Sequence, residues 1–191
     1  MTTDNTTTVE PDQPGLLGLL ALGELTLHLR LSAVLADAPD PAFALRAATA
    51  SSAHLERARR FCELTTSAEL ETWRPVVDTL LGVPAADWLE GMVSAQVVGG
   101  ALADLADLLP QASGAPESAG PADVVRTYVE DDPALAGRLS LFGRRTFGRV
   151  LISGRQIVAR LPETHASPVR AYFDAAGDTF ATRMTSMALK G

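Results

Sequence analysis

Residues 16–31 read Leu-Leu-Gly-Leu-Leu-Ala-Leu-Gly-Glu-Leu-Thr-Leu-His-Leu-Arg-Leu, an apolar segment that carries a carboxylate, Glu24, and an imidazole, His28, one turn later. Leu17, Leu20, Glu24, Leu27, His28 and Leu31 recur at spacings of three and four, which places them on one face of a helix. A carboxylate on an apolar face is costly to bury without a partner, so this helix must meet polar groups from a neighbour. The helix is expected from Gly15 to about Ala38, where Asp37-Ala38-Pro39-Asp40-Pro41 ends it. The apolar run Leu16–Leu22 is far shorter than the roughly 20 residues of a membrane span, and Glu24 and His28 follow it directly. It therefore reads as a core helix. Residues 1–14 are polar, rich in Thr and free of Lys and Arg, so a flexible leader is expected there, with a single domain over 15–191.

Working outward, Pro41 suits the first turn of a second helix running to about Leu64. Phe43, Ala47, Ala50, His54, Ala58 and Phe61 share one face, and Glu56, Arg57, Arg59 and Arg60 are assigned mostly to the other. A shorter segment, Glu69 to Leu81, is interrupted by Pro75. A third long helix is expected from Ala85 to about Leu109, with Trp88, Met92, Ala95 and Gly99 at helical spacing. The pair Gly99-Gly100 costs about 2 kcal/mol of helix propensity, tolerable where another helix must approach closely. A loop rich in Gly, Ser, Ala and Pro follows over 110–120. Beyond it come a short helix, Pro121 to Glu130, a long one capped by Asp132 and running to about Leu161, and a last one from Ser167-Pro168 to about Leu189. No strand and no internal repeat is apparent.

Composition agrees. Of 191 residues, 47% are hydrophobic but only 5% aromatic, with Ala and Leu dominant, which favours helices over strands. The net charge of −7 argues against a general nucleic-acid binder, because counterion release needs a concentrated basic surface. The single cysteine, Cys62, rules out an intrachain disulfide and fits a reducing compartment, so a cytoplasmic location without a membrane partner is expected. Gly-rich phosphate loops, Gly-x-Ser-x-Gly elbows and Cys-x-x-Cys pairs are absent from the sequence. The fold expected is all-α, an antiparallel four-helix bundle with additional shorter helices.

Several stretches resemble one family. Ala-Leu-Gly-Glu-Leu at 21–25, Ala-His-Leu-Glu-Arg at 53–57, Asp-Trp-Leu-Glu at 87–90, Asp-Pro-Ala-Leu-Ala-Gly-Arg-Leu at 132–139 and Arg-Arg-Thr-Phe-Gly-Arg at 144–149 are similar to the actinobacterial ferritin-like family related to MiaE-type tRNA hydroxylases. The resemblance spans about residues 15–191 and implies a ferritin-like bundle with a di-iron ligand set and oxygenase or hydroxylase chemistry. It also implies where this chain departs from the family. Glu24 and His54 fall at ligand positions, but Ser51 stands where the family has Glu. The family's last acid-x-x-His maps onto Ser118 and Pro121. Asp104, or Asp107, is the remaining acid on the third long helix, so Glu24, His54 and Asp104 are the most that survive of six ligands.

Three readings follow. In the first, a dismantled di-iron site leaves the bundle interior as a pocket for a small apolar molecule. No cofactor is needed, and Glu24, His28 and His54 are candidates for metal-independent acid–base catalysis, as in a biosynthetic step. Ser51, Gly100 and Asp104 are candidate ligand-binding positions. In the second, Glu24, His28 and His54 hold a single iron in a two-His, one-carboxylate arrangement, with Asp104 as a candidate further ligand. In the third, the chain is a non-catalytic partner-binding protein or a homodimer. Arg144, Arg145, Arg149 and Arg155 make one helix basic, and the simplest expectation is that they pair with acidic helices. Cys62 is expected to be partly buried, Met184 and Met187 to be core, and His165 to lie in a loop without a specific role.

Overall fold

The structure, a computed structural model, describes residues 15–109 and 121–191, and among these the regular structure is all helical, with no strand. Helix α1 spans Leu16–Val34 and ends in a 3-10 turn, Leu35–Asp37. Helix α2, Pro41–Cys62, starts where Asp40 accepts from the backbone N–H groups of Ala42 and Phe43. Helix α3, Ser67–Leu80, opens with a capping box in which Thr66 and Glu69 satisfy each other's backbone N–H groups. Helices α4, Trp88–Ser94, and α5, Gly100–Asp107, are joined without a break by a π-helical turn, Ala95–Gly99. Helices α6, Pro121–Val129, α7, Pro133–Val158, and α8, Glu163–Ser186, complete the chain.

Helix α1 is the axis of the packing. It lies most extensively against α2, next against α3, and also against α4 and α5. Residues from all sides of its first half, including Leu16, Leu19, Leu20, Ala21, Leu22 and Glu24, are buried, as expected of a helix surrounded by others. Two glycines let the neighbours in: a Cβ at Gly18 would meet the Trp73 ring at 2.9 Å, and one at Gly23 would meet Leu102 at 2.9 Å. The Trp73 indole N–H donates to the carbonyl of Gly15, tying α3 to the start of α1. Leu16–Asp37 is long and apolar enough by length and composition to cross a membrane, more than its seven-residue apolar run suggests. In this fold its first half is enclosed by the other helices.

Helices α7 and α8 pair on the far side, and α7 also reaches α3 and α4. Glycines again set the distance, and Gly154 lies against the Phe173 ring of α8. Met184 and Met187 are both core residues, as expected.

Three element boundaries differ from the sequence expectation. Helix α3 runs through Pro75 unbroken, because Pro75 and Glu71 both face solvent, where the carbonyl left without its N–H partner can be hydrated. Helix α8 begins at Glu163 rather than at Ser167, so His165 lies in its first turn and Pro168 inside it. The helix expected from Ala85 begins instead at Trp88, capped by Asp87, and is wound through the π turn. Cys62, expected to be partly buried, is exposed at the end of α2.

Two glycines of α7 make opposite predictions. Gly148 has nothing within 4 Å of its Cβ position, whereas a Cβ at Gly154 would meet Phe173 at 2.7 Å. Gly148→Ala should stabilise the protein by up to about 1 kcal/mol through helix propensity. Gly154→Ala should destabilise it by about 1–3 kcal/mol through overpacking. Urea denaturation of the two variants measures both signs.

Candidate functional site

The helix α1 stripe delivers Glu24 into the interior at 1% exposure, and α2 delivers His54, at 0%, and Arg57, at 4%, to meet it. His54 Nδ1 stands 2.5 Å from Glu24 Oε2, and Arg57 Nε donates to Glu24 Oε1 at 3.0 Å. Arg57 Nη2 also lies 2.7 Å from His54 Nδ1. A carboxylate can only accept, so the short contact is read with Nδ1–H donating to Glu24. One ring nitrogen cannot donate and accept at once, so Arg57 Nη2 then sits beside Nδ1 as a neighbour and not as its donor. In a neutral ring that tautomer leaves the lone pair on Nε2, and Nε2 is buried without a hydrogen-bond partner among the described residues.

Arg57 corrects the sequence reading, which assigned it to the outward face. It lies three residues after His54, so the two share a face, and that spacing was the available signal. A run containing Arg57, Arg59 and Arg60 reads as solvated until the position of Glu24 is known. A buried carboxylate requires a cation, and Arg57 is the one within reach.

The imidazole owes its space to a glycine of the π turn, Gly99. A Cβ at Gly99 would lie 2.7 Å from His54 Cε1, 3.4 Å from Nε2 and 3.6 Å from Leu27 Cδ1. Gly99 is the last residue of that turn, and π-helical turns often accompany functional sites. Leu27 also lines a half-open groove of about 240 Å³, together with Arg30, Leu31, Val34, Val83 and Gly91. Leu27, whose Cδ1 shares the surroundings of Gly99 with the His54 ring, is thus also part of the wall of this mostly apolar groove. Burial lowers the pKa of the Arg30 guanidinium, and the nearby Asp78 partly offsets the effect.

The other candidates lie elsewhere. His28 does not hydrogen-bond to Glu24; its Nδ1 lies 3.1 Å from the Ser51 carbonyl and 2.9 Å from the Ser51 hydroxyl. Ser51 Oγ lies 3.1 Å from the His28 carbonyl as its donor and 3.0 Å from Ser32 Oγ. His28, Ser32 and Ser51 thus form their own α1–α2 link. Asp104 is bound to Arg183 of α8, whose Nη2 lies 2.6 Å from each carboxylate oxygen and 3.0 Å from the Gly100 carbonyl. Gly100 is the bed for that arginine: a Cβ there would clash with Arg183 Nε. Asp107 is exposed. Pro121 is buried at the start of α6, while Ser118 lies outside the described residues.

These positions bear on iron. Glu24 and His54 converge, but His28 and Asp104 are drawn to other partners, and among the described residues no three His, Cys, Asp or Glu side chains form a group able to hold a metal ion. The Glu24 carboxylate and His54 Nδ1 already lie against a guanidinium, which is a poor neighbour for a cation. The described residues do not fit an iron centre.

Among known proteins, no family model and no curated protein matches this chain.

Two predictions arise here. Arg57→Ala leaves Glu24 buried without its cation and should cost about 3–5 kcal/mol, measured by chemical denaturation. Tyr172 lies beside Asp104, and burial first, then the carboxylate charge, raises the pKa of its hydroxyl. The stability this contributes is fully present below the unfolded tyrosine pKa of about 10 and is lost as pH rises above it. Stability should therefore fall in that alkaline range, and Tyr172→Phe should flatten the fall in pH-dependent unfolding curves.

Proposed function

We propose that this chain is a ferritin-like helical bundle whose di-iron chemistry has been lost. In this reading it binds a small apolar molecule in the groove lined by Leu27, with His54 as a metal-independent acid–base group. The observation that carries the reading is the buried, unpartnered Nε2 of a histidine whose Nδ1 is held by a carboxylate. A carboxylate that fixes one ring nitrogen and frees the other is how an imidazole is oriented for proton transfer. An orphaned buried polar atom is costly to folding and calls for an explanation.

In this proposal the apolar part of the molecule rests on Leu31, Val34 and Val83, and a change of the Leu27 rotamer brings its polar group to Nε2. Glu24 holds the ring in one tautomer and its charge favours the imidazolium after proton uptake, while the Arg57 guanidinium beside Nδ1 opposes that charge and returns the ring to its neutral form. His28 and Ser51 act at one remove, by holding α2 in register with α1.

Calorimetric titration with naphthalene and 1-naphthol tests this. Both should bind, and Ala33→Trp, in the groove wall, should weaken both by at least about tenfold. His54→Gln should remove only the preference for the naphthol. Binding that is absent, or indifferent to Ala33→Trp, would overturn the reading. Metal analysis after anaerobic loading with ferrous iron should find no stoichiometric iron. One or two atoms per chain, lost in Glu24→Ala, would return the site to iron oxygenase chemistry.

A further inference from the structure

Between Pro133 and Pro162 the sequence has six arginines and no acidic residue, in a chain of net charge −7. Two of the six are accounted for inside the protein: Arg138 binds Asp87 and Glu90, and Arg160 donates to the Gln156 carbonyl. The remaining four, Arg144, Arg145, Arg149 and Arg155, are exposed. Contrary to the expectation that they pair with acidic helices, none of them forms an ion pair among the described residues.

The four arginines share the outward face of α7 with Leu141, Leu151 and Ile152, which are 47%, 37% and 46% exposed. Gly148 lies among them with nothing within 4 Å of its Cβ position. Leu141, Arg145, Gly148, Ile152 and Arg155 follow one another at intervals of four, three, four and three. That is the seam spacing of a helix that packs lengthwise on another helix. Arg144 and Arg149 flank the seam, where charges select a partner. We propose that this face of α7 docks an acidic amphipathic helix of a partner protein. Its apolar residues would seat on Leu141 and Ile152, with a larger side chain over Gly148 and carboxylates against the four arginines.

Other anionic occupants fit less well. A lipid surface would gain nothing from the dent at Gly148 and would meet a protein of net negative charge. A nucleic acid would leave the interleaved leucines and isoleucine without a role.

The test uses the full chain and a helix-stapled 21-residue peptide with Leu at seam positions and Glu flanking them, followed by fluorescence anisotropy. The peptide should bind, weaken as salt rises, and lose at least about tenfold in affinity when Gln replaces its Glu residues. The double variant Arg145→Glu/Arg149→Glu should lose the Glu peptide and gain one with Arg in place of Glu, a swap that an unfolded variant could not produce. The proposal is overturned if the Glu and Gln peptides bind alike or neither binds. It is equally overturned if phosphatidylserine vesicles or an RNA oligomer bind where the peptide does not, or if sedimentation shows the face occupied by a second copy.

Discussion

The buried carboxylate of Glu24 is the constraint around which the rest is arranged. A charge removed from water needs a counter-charge and saturated hydrogen bonds, and both arrive on α2, as Arg57 and His54. That requirement fixes the register of α1 against α2, because sliding either helix by one residue would turn the partners away from one another. The second polar link, His28 with Ser51, lies along the same pair of helices and enforces the same register. An apolar α1 alone, buried on most sides, would carry much less information about its rotation and height.

The small residues around this cluster follow from it. An imidazole pressed between α2 and the α4–α5 rod leaves no room for a Cβ at Gly99, and the Arg183 side chain leaves none at Gly100. The glycine pair, unfavourable in an isolated helix, thus serves two polar side chains from two different helices. Asp104 and Arg183 form a partly buried ion pair of their own. It binds α5 to α8 much as Glu24 and Arg57 bind α1 to α2, so the two candidate acids of the sequence serve two separate joints.

Much of this was legible before folding. The helices, the proline start of α2 at Pro41, the cap at Asp132, the buried Glu24 and the inward His54 follow from periodicity and local chemistry alone. Arg57 was not, although its spacing from His54 permitted it, because a solvated arginine and a buried one look the same until the partner carboxylate is located. The grouping of His28 with Glu24 was misleading for a related reason. Residues four apart share a face only approximately, and the offset is enough to aim one at Arg57 and the other at Ser51. The π turn had no sequence mark beyond Gly99.

An all-helical chain with one carboxylate committed to its interior is already implied by the order of residues, since helix periodicity and the avoidance of unpaired buried charge are local or nearly local demands. Which groups answer that carboxylate, which acids are drawn elsewhere, and which arginines remain in solvent were decided only by tertiary structure. Partnership depends on the relative height and rotation of helices distant in sequence, and these are set by close packing across many side chains at once.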